Sequence, residues 1–524
     1  MTEQNVRRLN PTTFNRAIDW PLGLAAAAGL TATAWVARLL LGRIDGLAAP
    51  PFDLGFFQQI VWSVGHSGQW TSSFHQGSFL GLHFSPVLVV PALVERLIWN
   101  DVRVLSLFHA VAVGLLVPAA FLFVRAALRP SRAAGAVAAA LTLGIPVWGT
   151  LQEVIRSDFH PETAGVVFAL LAGWAGLSGR PRTLWLFAIL AMVTREDLAY
   201  AVGVVGLVVA ARGRGDLRRH GRIMAAVAVT WAIVVFGLVM PGIRGGAASD
   251  TASYYAWLGG GLGVLTAPFT MTDRVVAALT RPVPWFVVAG MVAPLLGLPL
   301  VRLRWAALIL PPLVASLLSS HIWQANLSLH YSLILIVPVL AAASMGGRRM
   351  IGAATHIGRR RRRESARDRA TPALRLPATA ARIRPLGLLG GLLLTATATA
   401  LAGAWIQGSV PPFDGGEVAF RDRPASLARL ERVAADVPAL APLVTDEGLV
   451  APLARRPTIR WVVLGAAPSP DDYVLLDRDA WSSRSWGSRG REQLFAAIVV
   501  SDRPMLADDG RFVLWGPVAV GGAQ

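Results

Sequence analysis

The chain has 524 residues, 54% of them hydrophobic and only 15% charged, with a net charge of +18. A soluble domain is nearer a quarter charged, so long apolar runs along most of the length imply a polytopic α-helical membrane protein. The arginines cluster between those runs, which the positive-inside rule explains and nucleic-acid binding does not, and the absence of cysteine excludes disulfides and thiolate metal sites.

Residues 1–19 form a short N-terminal segment carrying Arg7, Arg8 and Arg16, which places it in the cytoplasm. The first span, 20–41, has no small-residue cleavage site after it and reads as a retained helix. A large first outer loop follows at 42–102. Its stretch 51–86, PFDLGFFQQIVWSVGHSGQWTSSFHQGSFLGLHFSP, sets Asp53, His66, His75 and His83 among aromatics and amides. Residues 54–64 predict an amphipathic helix at the interface. Residues 84–98 are apolar but short and contain Pro86 and Pro91, which predicts a re-entrant or interfacial helix.

Further spans are expected at 103–125, 133–152 and 162–178. A tight pair follows at 183–194 and 198–211, with TREDL at its outer turn. The span 223–241 leads to a Gly-rich outer loop, 242–272, and spans at 284–301, 305–319 and 328–345 complete a transmembrane domain covering 20–352. Residues 353–384 read as a basic, poorly ordered cytoplasmic linker, and 385–406 as the last helix. About eleven spans put every arginine-rich short loop on one side, with the N-terminus inside and the C-terminus outside. Residues 407–524 change in composition, with β-like runs at 441–445, 459–464, 473–477, 495–501 and 511–516. They predict a small extracytoplasmic α/β domain.

On this topology the unusual polar residues share the outer face. They are Asp53, His75 and His83 of the first loop, then Asp158, His160 and Glu162 in SDFHPE. Arg195, Glu196 and Asp197 follow in TRED, and His321, Gln324, His330 and Tyr331 come late in the chain. Ionisable groups at membrane depth are costly and usually mark a functional path or site. Each has a plainer reading. Asp53 could cap the interfacial helix, and His83 could be a satisfied helix-start histidine. SDFHPE could be an exposed loop with Pro161 at a helix start. Arg195, Glu196 and Asp197 could neutralise one another at a hairpin tip, and His330–Tyr331 could be a core pair. Alternating carboxylates and imidazoles are also ligand types for a divalent cation, which makes Asp158, His160, Glu162, Glu196 and Asp197 the candidate metal ligands.

The segments DLGFFQQIVW, HFSP, SDFHPE, TREDLAY and LHYSLILIVPVL resemble the bacterial membrane family DUF2079 over most of residues 50–345, and LVTDEGLVAPLARRPTIRW and DDYVLLD resemble its tail. In layout that family is similar to the GT-C glycosyltransferases, with many spans, a large acidic first outer loop and often an outer C-terminal domain. The resemblance implies a GT-C-like fold in a bacterial plasma membrane and transfer of a sugar from a polyprenyl-phosphate donor to an extracytoplasmic glycan or protein acceptor. Its implied cofactor class is a divalent cation, Mg or Mn, and its partners are membrane lipid and the lipid-linked sugar, with no nucleic acid.

Asp53 would be the general base, where some GT-C enzymes have paired acidic residues. His83, Asp158 and His160 complete the candidate catalytic set. Arg156 and Arg195, with His83 and His160, would meet the lipid phosphate. Trp62, Trp70, Tyr254, Tyr255 and Trp257 offer faces for sugar stacking, with His321, Gln324, His330 and Tyr331 as further substrate contacts. The alternatives are a transporter or flippase of a lipid-linked or polar solute and a non-catalytic envelope assembly protein.

Overall fold

The structure is a computed structural model. It describes residues 19–367 except 132, 248 and 260–262, then 391, 394, 396–398, 426–461, 468–479, 496, 498 and 501–518. Five helices among these residues are long and apolar enough to cross a membrane: Trp20–Asp45, Arg103–Leu128, Ala134–Arg156, Asp216–Ile243 and Leu329–Ala353. A sixth span results if Thr272–Leu279 and Pro282–Val292, bent by 41°, are taken together. Glu162–Leu177, Pro181–Met192, Leu198–Arg212 and Leu303–Leu317 are shorter apolar helices. At about 1.5 Å per residue these are too short to cross a hydrocarbon core of about 30 Å upright. The expected span 386–406 and segment 1–18 lie almost wholly outside the described residues.

The helices pack through small residues, as membrane bundles do. Trp20–Asp45 crosses Arg103–Leu128 at Gly29 and Gly114, where a Cβ on Gly114 would lie 2.5 Å from the Gly29 carbonyl oxygen. Around this crossing an apolar core fills the bundle, including Phe121, Phe123, Leu170, Val202, Val205, Ile336 and Leu340. Proline interrupts several helices by removing a donor. Ile145–Val147, containing Pro146, is a 3₁₀ turn inside Ala134–Arg156.

In the first loop, a π-type turn at Pro51–Gly55 leads into the helix Phe56–Ser67. Gly68 ends that helix in the left-handed conformation, φ +70°. Val89–Leu97 is a short helix that exposes Val89, Val90, Leu93 and Leu97 and buries Pro91, Ala92 and Glu95, the pattern of an interfacial helix. Gln58 Nε2 donates to Glu95 Oε2 at 2.9 Å. Gln58 Oε1 and Glu95 Oε1 are buried without a hydrogen-bond partner among the described residues. Burial pushes the Glu95 carboxyl up to about 8 against the opposing Gln58 hydrogen bond, and the added proton supplies the donor this pair lacks.

The C-terminal residues build a five-stranded sheet of order β2-β1-β3-β5-β4. Its strands are β1 Leu443–Thr445, β2 Ile459–Trp461, β3 Tyr473–Asp477, β4 Met505–Asp508 and β5 Phe512–Trp515. β1 pairs in parallel with β2 and β3, and β5 is antiparallel to β3 and β4. The expected strand 495–501 lies largely outside the described residues, and its described positions Ala496 and Ile498 are helical. The edge strand Met505–Asp508 went unpredicted because two of its apolar residues face solvent. The basic segment after 353 is also corrected: the helix Ile336–Arg367 runs on through Arg359–Arg363, and residues 368–384 lie outside the described residues.

The sheet domain shares a core with the first loop. Ile44, Leu54, Phe57 and Ile60 pack in one cluster with Leu430, Leu449, Val450 and Ile459. Gln59 Nε2 donates to the Arg456 and Pro457 carbonyls at 2.9 and 3.0 Å, and Ser73 Oγ donates to the Ile459 carbonyl at 2.6 Å. A Cβ on Gly448 would lie 2.1 Å from the Leu47 carbonyl oxygen.

Two outcomes follow. Gly448→Val should destabilise the protein by about 1–3 kcal/mol through overpacking, read as a lower unfolding temperature in detergent; an unchanged value would mean the two parts do not share that contact. The folded Glu95 value lies above the ordinary carboxyl value of 4.5, so the folded state holds an extra proton, and this contribution to stability falls as pH rises from about 4.5 to about 8. Glu95→Gln should flatten the fall in unfolding temperature over that window relative to the natural chain; equal slopes would show Glu95 ionised.

Candidate active site

Breaks in the helices bring polar turns to one end of the bundle. A cavity of about 630 Å³ lies there. The first loop contributes Phe52, Asp53, Phe56, Phe57, Phe74, His75, Phe79, Leu82 and His83. The turn before Glu162–Leu177 adds His160, Pro161 and Glu162, the turn between Pro181–Met192 and Leu198–Arg212 adds Arg195, and Tyr254 comes from the Gly-rich loop. The segment before Ile336–Arg367 adds His321, Gln324, His330 and Tyr331, and Glu447 arrives from the sheet domain.

Asp53 sits in the first turn of the π segment. Gly55 is the N-cap of Phe56–Ser67, with no side-chain cap bond, so Asp53 does not act as the cap. Its Oδ1 lies 3.4 Å from His160 Nε2. His160 stacks on His330 with ring centroids 3.8 Å apart at 24°. On its other edge, His160 Nδ1 lies 3.3 Å from the Asp158 carbonyl oxygen. A proton on Nδ1 donated to that carbonyl points Nε2 at Asp53. Burial works against a charged His160, but the Asp53 carboxylate and then Glu162 outweigh it and hold the imidazole above its ordinary value.

Arg195 is the main positive charge of the cavity wall. It hydrogen-bonds Glu162 Oε1 and lies 3.4 Å from Asp197 and 4.0 Å from Glu196. Glu196 accepts from the Phe84 N–H at 2.8 Å and pairs with His83 Nδ1 at 2.9 Å. Burial opposes the Glu196 carboxylate, yet His83 and Arg195 hold it below the ordinary range; for Asp197 burial outweighs Arg195, and its carboxyl is pushed up to about 6. Arg195, Glu162 and His83 line the cavity, while Glu196 and Asp197 hold them from behind, and TRED ties the first loop to the SDFHPE turn.

SDFHPE is not an exposed loop: Asp158, His160 and Glu162 are all buried. Asp158 takes the left-handed conformation, φ +65°, which aspartate tolerates better than most residues. Its carboxylate accepts from Ser106 Oγ at 3.0 Å and lies 3.9 Å from Arg43. Burial pushes it up, with Arg43 opposing. Asp158 therefore braces the turn from beneath and does not line the cavity.

Several expected contacts lie elsewhere. Arg156 pairs with Glu153 at 2.8 Å, because the last turn of Gly149–Arg156 faces it away from the cavity. Trp62 stacks on His66 one turn along its own helix, at 4.7 Å. Trp70 packs against the core shared with the sheet domain. The Tyr255 hydroxyl bonds the Ala315 carbonyl and receives Gln324 Nε2, and Trp257 Nε1 donates to the Leu318 carbonyl. These two rings support the wall behind Tyr254, which stacks on His321 at 4.7 Å. Sequence reasoning missed the phenylalanine walls and Glu447. The density of phenylalanine in 52–84 was the signal for the first; nothing local signals the second.

The carboxylate–imidazole group with ligand-like spacing also differs from expectation. Asp53, His160 and His330 each offer one atom, all within 4.8 Å of one another. Asp158, Glu162, Glu196 and Asp197 are outside this group and are engaged as described above. One carboxylate and two imidazoles suit Mn²⁺ or Zn²⁺ better than Mg²⁺, which prefers oxygen. A protonated His160 cannot ligate a metal, so the ion pair with Asp53 and a bound cation are mutually exclusive states of the same atoms.

The model of a family described as a predicted membrane protein, DUF2079, matches residues 43–380. No curated protein matches the chain. Among solved structures the chain is similar to ArnT from Cupriavidus metallidurans bound to undecaprenyl phosphate, at 15% identity and a TM-score of 0.46 over 96% of this chain and 99% of that one. It is similar to the apo state of the same protein at 14% identity and a TM-score of 0.44, over 93% and 98%. It is also similar to the apo oligosaccharyltransferase of Archaeoglobus fulgidus at 13% identity and a TM-score of 0.42, over 89% of this chain and 70% of that one.

Removing Arg195 strands buried carboxylates. Arg195→Met should cost about 3–5 kcal/mol, and Arg195→Lys less, measured as unfolding temperature in detergent. A cost below about 1 kcal/mol for Arg195→Met would mean that the carboxyls around it are neutral.

Proposed function

The chain belongs to the DUF2079 family of predicted membrane proteins, and on that footing we propose that it is a membrane glycosyltransferase of the GT-C kind. It would move a sugar from a polyprenyl-phosphate donor to an acceptor at the outer surface of a bacterial plasma membrane. The observation that carries this reading is the placement of Asp53: a carboxylate on the loop after the first helix, 3.4 Å from His160, in a cavity that also holds Arg195 and His83 and has aromatic walls. The cavity combines a base, the Arg195 guanidinium beside the His83 imidazole, and flat apolar faces, as sugar transfer from a lipid phosphate requires.

In the proposed reaction the acceptor hydroxyl oxygen attacks the anomeric carbon and its proton passes to Asp53. The bond from that carbon to the phosphate oxygen breaks, and the prenyl phosphate leaves with the electron pair. Arg195 and His83 face the charge that develops on the phosphate. The stacked His160 and His330 hold the Asp53 carboxylate in line, and Tyr254, His321 and Tyr331 offer faces to the sugar. Glu447 brings the sheet domain to the rim, where the acceptor would enter.

The transporter alternative needs a polar path between the two ends of the helices. Among the described residues the core between them is mostly apolar, including Phe123, Leu170, Val202 and Leu340, which favours a one-sided site.

Asp53→Asn should lower transfer of a radiolabelled sugar from a polyprenyl-phosphate donor by at least about 10²-fold, with the variant still folded by thermal unfolding. Full activity in that variant removes Asp53 as the base. No transfer by the natural chain from any of a panel of lipid-linked sugars would sink the reading itself.

A further inference from the structure

The helices that carry the cavity at one end gather arginines at the other. Leu198–Arg212 starts beside Arg195 and ends at Arg212. The segment Leu329–Leu335, which carries His330, continues as Ile336–Arg367 and passes through Arg348 and Arg349. Arg212 Nη2 and Arg348 Nη1 both donate to one acceptor, the Arg129 carbonyl oxygen, each at 2.8 Å. Arg348 and Arg214 lie near enough to Arg212 to repel it. Arg304, Arg349 and Arg348 likewise crowd Arg302. None of these arginines forms an ion pair among the described residues, and Arg212 Nε is buried without a partner there.

The positive-inside rule accounts for arginines in loops. It does not account for two guanidiniums drawn onto a single carbonyl beside four further cations. A carbonyl oxygen can accept both donors, but it is neutral and leaves their mutual repulsion unanswered. Each guanidinium keeps further N–H groups in a planar fork that fits phosphate oxygens. We infer that this cluster, with Arg212 and Arg348 at its centre, is a binding site for a phosphate group, presented by the headgroup of an anionic membrane lipid. Basic pockets between helix ends at the membrane surface bind such headgroups. The site is independent of the chemistry proposed for the cavity, since Arg212 and Arg348 lie well along these helices from the residues that line it.

The test uses the full chain in detergent, examined by native mass spectrometry with phosphatidylglycerol or phosphatidylcholine at equal concentration. The natural chain should retain phosphatidylglycerol in preference. Arg212→Gln/Arg348→Gln should lower that retention by about tenfold, while Arg212→Lys/Arg348→Lys keeps most of it and reports that the fold survives the change. In a parallel arm, inorganic phosphate is added and the unfolding temperature measured. If phosphate stabilises the natural chain but not the Gln variant, and no lipid preference is seen, the phosphate site stands and its lipid source is wrong. Equal retention of both lipids with no effect of phosphate, or a Gln variant that behaves as the natural chain in both arms, overturns the proposal.

Discussion

Charge pairing in a poorly hydrated environment organises one end of this protein. Arg195 lies among Glu162, Glu196 and Asp197, His83 pairs with Glu196, Asp53 with His160, and Asp158 sits over Ser106 and Arg43. Each carboxylate would be expensive to bury alone, and most of the pairs join separate segments: Arg195 with Glu162, His83 with Glu196, Asp53 with His160, and Asp158 with Ser106 and Arg43. Satisfying them together requires the first loop, SDFHPE, TRED and the segment around His330 to meet. The cavity is the space that remains among turns held in this way.

The pairing also sets chemical states. Asp53 raises the proton affinity of His160, and the Asp158 carbonyl beneath it gives the ring an orientation. Glu196 is held ionised by His83 and Arg195, whereas Asp197, the next residue, is pushed the other way by burial. Neighbouring carboxyls thus differ in proton affinity because of what surrounds them, a recurring arrangement where acid and base roles must be separated.

The sheet domain is part of this assembly. Its Leu430, Val450 and Ile459 complete the core under the first loop, Trp461 meets Phe52 edge-on at 4.4 Å, and Glu447 reaches the cavity. The Gln59 side chain, bonded to two carbonyls of the domain and accepting from Ser72 and from the Ser73 N–H, is the polar seam of that contact. The loop that bears Asp53 is therefore clamped between helices and sheet, which limits how far the carboxylate can move.

Hydropathy by itself determined that the chain is a membrane protein, where its apolar helices run, and that carboxylates, imidazoles and arginines fall at alternate helix ends, because these are one-dimensional properties of apolar length and charge placement. The segments DLGFFQQIVW, SDFHPE and TREDLAY likewise carried the family. Only the tertiary structure decided which side chains face the cavity. A short helix can rotate its residues by 100° per position, so Trp62, Arg156, Tyr255 and Trp257 point elsewhere while Glu162, Tyr254 and Tyr331 point in. The bracing of the left-handed turn at Asp158 by Ser106 and Arg43, and the seating of Glu447 in the cavity wall, are contacts between segments far apart in the chain, and no local pattern encodes those.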